Sequence, residues 1–135
     1  MNAKFHLALP CKDAEATARF YEVIIGASLG RKSKKWLDVN LFGNQLTFTQ
    51  SGKFRFDYNN YKLENHILPS FHFGIIVPNV IWQEIHDRLS RMNQETTPKT
   101  SFFNNKRGEH LSFFVKDPNG YMLEFKSYKD SGTIF

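Results

Sequence analysis

The feature that most constrains this chain is an internal repeat. Phe5-His6-Leu7-Ala8-Leu9 and Phe71-His72-Phe73-Gly74-Ile75 are alternating apolar runs about half a chain length apart, each followed by a turn signal and a helical pattern. The later parts match as well. Gly43-Asn44-Gln45-Leu46-Thr47-Phe48 and Gly120-Tyr121-Met122-Leu123-Glu124-Phe125 both obey Gly-x-x-Leu-x-Phe. The shared order in both halves points to two βαβββ units from one duplication.

In the first half the spacing predicts a strand over 5–9 closed by Pro10, and a helix from Asp13 to Ile25 ending at Gly26. Strands are predicted over 35–42, 45–50 and 54–58, with Gly43-Asn44 as a hairpin signal in reversed order. The second half predicts a strand over 71–77, a turn at Pro78-Asn79, a helix over 80–92, and strands over 97–103, 109–115 and 121–127. One domain results: module 1 at 1–58, a polar irregular linker at 59–69, module 2 at 70–128 and a polar tail at 129–135. The expected class is α+β, two tandem βαβββ modules forming a curved, mostly antiparallel, U-shaped sheet.

Composition excludes several function classes. With 41% hydrophobic residues in 135, the chain can bury a real core, and fourteen Phe and five Tyr favour strands over disorder. The net charge of +5 is dispersed over expected loops, so a solvated surface is the better reading than a nucleic-acid interface. Cys11 is the only cysteine, which rules out an intrachain disulfide and a CxxC zinc cluster. No apolar run approaches membrane length and none forms a signal core, so the expectation is a cytoplasmic protein without membrane or nucleic-acid partners.

Strand alternation locates the chemistry. Phe5, Leu7 and Leu9 share one face and His6 the other; Phe71, Phe73 and Ile75 leave His72 with Gly74; Tyr121, Leu123 and Phe125 leave Glu124 with Met122 and Lys126. If helices cover the apolar side of one curved sheet, His6, His72 and Glu124 converge on its concave side. Two imidazoles and one carboxylate with open positions suit non-haem Fe(II), and also Zn, Ni, Mn or Co. Taken singly, each has an ordinary reading, a satisfied structural histidine or a solvated glutamate. His66 and His86 read as structural or solvent-facing. The repeat sets Thr47 against Glu124, whereas local string similarity sets Gln45 there, and neither is a carboxylate.

FHLAL, FHFGI and DPNGYMLEFK, in that order on a duplicated chain, resemble the vicinal oxygen chelate superfamily of glyoxalase I, extradiol dioxygenases and bleomycin-resistance proteins. KDAEATARFYEVIIGASLGR, WLDVNLFGNQL, HFGIIV and FFVKDPNGYMLEFKSYKD more narrowly resemble a branch of short bacterial proteins of extradiol-dioxygenase type. The resemblance implies a metal held by His6, His72 and Glu124 inside the U-shaped sheet, and a homodimer. That branch usually reads GHQL where this chain has GNQL, so the role of Asn44 is left open.

Glyoxalase I adds a fourth ligand, a carboxylate on the strand matching Gly43 to Gln50. Its absence here favours a bidentate oxygen substrate plus O2 over isomerisation, where a glutamate serves as base. The expectation is a metal-dependent dioxygenase-like enzyme, Fe(II) first among metals, acting on a small catechol-like or vicinal-oxygen substrate. His110 is the candidate acid/base, and Gln45, Thr47, Trp36 and Tyr121 are candidates for the pocket. The alternatives are a glyoxalase-type isomerase or lyase on a keto or thiol-adduct substrate, and a metal-free small-molecule binder of the bleomycin-resistance kind.

Overall fold

Alternation in the sequence becomes pairing in the structure. The computed structural model describes residues 2–135. The chain forms two units: one reaches to Phe56 and takes in Asp117–Asn119, and the other comprises Asp57–Lys116 and Gly120–Phe135.

The first unit contains β1 (His6–Cys11), α1 (Ala14–Arg19) continued by a π-helical turn (Phe20–Ile25), β2 (Ser28–Lys32), β3 (Trp36–Leu41) and β4 (Asn44–Gln50). Its sheet has the order β1-β4-β3-β2, parallel between β1 and β4 and antiparallel elsewhere. Asp13 caps α1, its carboxylate accepting the Ala16 N–H at 2.9 Å. Pro10 is tolerated because β1 lies at the sheet edge. The turn segment Asp117–Asn119 is bound here by side chains. Tyr21 O–H donates to Asp117 Oδ2 (3.0 Å), Lys12 N–H to Asn119 Oδ1 (2.8 Å), and Asn119 Nδ2 to Thr17 Oγ1 (3.3 Å). Gly120, at φ +92°, turns the chain out of this segment in a region that side chains disfavour.

The second unit contains β5 (Asn60–Leu63), β6 (His66–Pro69), β7 (Phe73–Ile76), α2 (Asn79–Arg91), β8 (Thr100–Phe102), β9 (His110–Lys116), β10 (Met122–Tyr128) and a closing 3-10 turn (Ser131–Thr133). Its main sheet has the order β7-β10-β9-β8, with β7 and β10 parallel. Trp82, Ile85 and Leu89 form the buried stripe of α2, and Trp82 Nε1 donates to the Phe125 carbonyl at 2.8 Å. Phe113, Val115, Leu123 and Phe125 form the apolar face beneath. Among the described residues no helix is long and apolar enough to cross a membrane.

The repeat is real at the level of register. In the first sheet Ala8 lies opposite Thr47, and in the second Gly74 lies opposite Glu124, each two residues after the matching histidine. Thr47, rather than Gln45, is therefore the structural counterpart of Glu124.

Three expectations need correction. The first unit has no strand over 54–58; its remaining strand is β2, placed before β3 and closed onto it through a bulge. The polar segment at 59–69 is not irregular but a β-hairpin, turned by Glu64 and Asn65, both at positive φ (47° and 68°). That pair fits the twist-matched two-residue turn without the usual Asn-Gly signature. His72 also lies just before β7 rather than inside the strand.

Gly74 brings β7 onto Glu124. A Cβ built at Gly74 would sit 1.7 Å from the Glu124 carbonyl oxygen, whereas the equivalent position in the first unit carries Ala8. Gly74→Ala is therefore expected to part β7 from β10 and lower the unfolding free energy by roughly 3 kcal/mol or more. Urea unfolding checks this, and stability within 0.5 kcal/mol of wild type, the usual spread for a harmless surface change, would contradict it.

Candidate functional site

A carboxylate on a strand must be solvated or paired, and Glu124 is not solvated. It is 6% exposed, although alternation puts it opposite the apolar face of β10. The ordinary reading of a lone solvated glutamate therefore does not hold for it. Burial of an isolated carboxylate is prohibitive, so its oxygens must be satisfied within the fold. Ser112 O–H donates to Oε2 at 2.6 Å from the neighbouring strand β9. Oε1 faces His72 Nε2 at 3.3 Å and Lys126 Nζ at 3.8 Å.

The histidine is oriented as firmly as the carboxylate. His72 Nδ1 lies 2.8 Å from the Pro69 carbonyl oxygen, which only accepts, so Nδ1 carries the proton. The ring also packs edge-on to Phe114 at 5.2 Å. Nε2 is left as the group aimed at Glu124. In a neutral ring it is a lone pair facing an anionic oxygen, an arrangement that needs a cation between or upon them. A proton on Nε2 is one answer and a metal ion is the other.

Both answers are visible in the chemistry. The hydrogen bond to Glu124 raises the His72 pKa above its ordinary 6.5 against the opposing effect of burial. Burial would raise the Glu124 pKa, but the hydrogen bonds from His72 and Ser112 and the Lys126 charge outweigh it and hold it below 4.5. The donor set also fits a metal. Two ligands each about 2.0–2.2 Å from one ion lie roughly 3.0–3.4 Å apart, and Nε2 and Oε1 are separated by 3.3 Å. Histidine ligands commonly anchor their second nitrogen on a carbonyl, as His72 does on Pro69. Among the described residues no group of three or more His, Cys, Asp or Glu side chains gathers as a metal cluster.

A cleft of about 500 Å³ adjoins the pair within the second unit, lined among others by Leu68 and Pro69 of the hairpin and by Phe102, Ser112 and Phe114. Leu68, Phe102 and Phe114 form its apolar wall. Ser112 thus touches both the cleft and Glu124.

The remaining expected site residues fall in several places. His6 is exposed at the start of β1, on the first unit's polar face with Gln45 and Asn40. Thr47 is on that face too, half-buried, while Gln45 is exposed. Asn44 accepts the Phe5 N–H through Oδ1 at 3.3 Å and holds the strand end. Trp36 is half-buried on β3, and Tyr121 is fully buried against Phe71 and Phe73, in the core rather than at the pair. His110 is buried at the start of β9, its Nδ1 at 2.8 Å from the Gly108 carbonyl and its ring stacked on Tyr128 and Phe102. It shares the face of Glu124, but four residues along the ladder, roughly 13 Å at ~3.3 Å per residue.

Two functional candidates were not foreseen. Ser112 needed the β9–β10 register to be seen beside Glu124. Asp38 could have been found by alternation, since WLDVNL places it opposite Leu37, Val39 and Leu41. It is 7% exposed, lies directly opposite Thr47, accepts the Thr47 hydroxyl at 2.7 Å, and faces Arg31 at 3.5 Å. The first unit thus does carry a carboxylate beside the position that matches Glu124.

The model of the Glyoxalase/Bleomycin resistance protein/Dioxygenase superfamily matches residues 5–125. None of the curated proteins matches the chain. Among solved structures, a glyoxalase/bleomycin resistance protein/dioxygenase from Alicyclobacillus acidocaldarius is 26% identical with a TM-score of 0.83, covering 99% of this chain and 97% of its own. The fosfomycin resistance protein FosX from Listeria monocytogenes is similar in fold at 14% identity and a TM-score of 0.68, covering 94% of this chain and 93% of its own. A virulence protein from Salmonella typhimurium has 18% identity and a TM-score of 0.66, with 95% and 98% covered.

The pair makes a pH prediction for the metal-free protein. A raised His72 pKa stabilises fully below 6.5, and that stabilisation is lost as pH rises through the folded value. A lowered Glu124 pKa stabilises above 4.5 and is lost as pH falls through the folded value. The difference in unfolding free energy between wild type and His72→Gln should therefore plateau between pH 4.5 and 6.5, at roughly 1.5 kcal/mol for one charged hydrogen bond, and shrink on both sides. Urea titrations across pH check it; a difference that grows toward pH 9 would contradict it.

Proposed function

As the chain belongs to the Glyoxalase/Bleomycin resistance protein/Dioxygenase superfamily, we propose that it is a metal-dependent dioxygenase-like enzyme for a small catechol-like or vicinal-oxygen substrate. The observation that carries the metal is the His72–Glu124 pair, with donors at ligand separation and each oriented from behind, by Pro69 and Ser112. His6 is the third proposed ligand and rests on the resemblance alone. A divalent metal, Fe(II) in first place and Zn, Ni, Mn or Co otherwise, would supply Lewis acidity toward two substrate oxygens. In this reading His72 keeps its Nδ1 proton on Pro69 and presents Nε2, Ser112 fixes the Glu124 carboxylate, and Phe102 and Phe114 exclude water from the cleft. A homodimer and a cytoplasmic setting belong to the same proposal and rest on the resemblance and on composition.

Threonine at position 47 supports an open, three-donor site and so the dioxygenase reading. Asp38 supports a second one. A buried carboxylate on the polar face that also carries His6 could serve as the base that glyoxalase-type isomerisation or addition chemistry requires.

Metal analysis tests the common part. Purified protein should bind one divalent ion per chain, His72→Ala and Glu124→Gln should abolish binding, and Ser112→Ala should weaken it about 10- to 100-fold. Absence of metal from wild type and variants alike would leave a metal-free binder. Fe(II)-loaded protein should consume O2 with a member of a catechol panel. If none is turned over, the dioxygenase reading fails, and loss of isomerase-type turnover in Asp38→Asn becomes the expected result.

A further inference from the structure

Two nitrogens converge on one oxygen. His72 Nε2 and Lys126 Nζ both point at Glu124 Oε1, at 3.3 and 3.8 Å. Among the described residues Glu124 is the carboxylate that Lys126 pairs with. Lys126 reaches this place by register: two residues after Glu124 on β10, it shares the same face and lies directly opposite Ser112. Its side chain is 30% exposed, so the ammonium is accessible rather than sealed in the core.

Glu124 Oε1 is the anion that both groups face. A divalent ion held by His72 and Glu124 would draw the carboxylate charge to itself and set a second cation near the Lys126 ammonium. Like charges at close range repel unless an anion lies between or beside them. Among the described residues Glu124 is the carboxylate at Lys126, so an oxyanion on the ligand would take over its role toward the ammonium once Glu124 binds metal. The neighbouring cleft indicates what else the ligand carries: Leu68, Phe102 and Phe114 form one apolar side of a lining that also includes Thr97, Thr100 and Asn104, and Ser112 stands at its junction with Glu124. Lys99 also lines the cleft, but its ammonium is held by Gln83 Oε1 at 2.7 Å and by the Trp82 ring. Lys126 is thus the cation placed to meet a ligand at the pair.

We propose that Lys126 is the specificity-determining residue of this site, selecting ligands in which an aromatic or apolar body carries a carboxylate-type oxyanion in addition to the oxygens offered to the metal. The inference rests on the metal reading of His72 and Glu124 and goes beyond it by naming the charge of the substrate. It assigns Lys126 a role in binding, with no part in moving protons.

Calorimetric titration of metal-loaded protein with catechol and with 3,4-dihydroxybenzoate tests it, with metal content measured on each sample. Wild type should bind the carboxylated compound about 10-fold more tightly than catechol, the scale of one well-placed charge pair. Lys126→Gln should retain its metal and bring the two affinities within about twofold, while Lys126→Arg should keep most of the preference. A preference that survives Lys126→Gln would overturn the proposal, as would equal affinities in wild type or failure of loaded wild type to bind the carboxylated compound. Wild type that holds no metal would instead remove the metal reading, and this inference with it.

Discussion

The second unit is organised around the need to satisfy a buried carboxylate. Glu124 sits in the central part of a sheet with its oxygens withdrawn from water, and each neighbour answers that constraint. Ser112 donates from β9, His72 approaches from the segment before β7, and Lys126 extends from β10 itself. Gly74 has no side chain because the backbone of Glu124 occupies the space. The hairpin strand β6 ends at Pro69, whose carbonyl fixes the His72 ring. Breaking such a pair by removing one partner is costlier than the pair's net worth, since it strands the other charge in a low-dielectric place.

The same constraint explains why the site is ready for a cation. A neutral His72 oriented by Pro69 presents a lone pair to an anionic oxygen, and neither can turn away without losing the partner behind it. Protonation closes the pair on itself; a metal would open it toward ligands in the neighbouring cleft. The metal-bound state carries one more positive charge than the protonated one, a divalent ion standing where a proton was, which is why a flanking lysine matters more in it.

Much of this was legible in the sequence. The repeat was readable from Phe-His and Gly-x-x-Leu-x-Phe, and the register that pairs Thr47 with Ala8 and Glu124 with Gly74 follows the same order. Alternation assigned Glu124 and Lys126 to one face and Leu123 and Phe125 to the other. The rest depended on information that alternation does not carry. It reports a side but not how deeply that side is covered, so the burial of Glu124 was invisible. The β5–β6 hairpin was missed because its turn is made by Glu64-Asn65, and β2 because Ser28–Lys32 reads as polar. Ser112 acquires meaning only through a cross-strand neighbour. Asp38 was available to the same reasoning that found His6, but attention to β4 alone hid a carboxylate one strand away.

The central claim is that His72 and Glu124 form the protein half of a cation site, with Nε2 as the donor and Nδ1 held by Pro69. Nitrogen-15 NMR of the His72 ring during titration with Zn(II) tests this most directly. The account predicts that at one equivalent Nε2 shifts to a metal-bound position while Nδ1 keeps its proton. Ring nitrogens unchanged at saturating Zn(II), or metal bound through Nδ1, would contradict it.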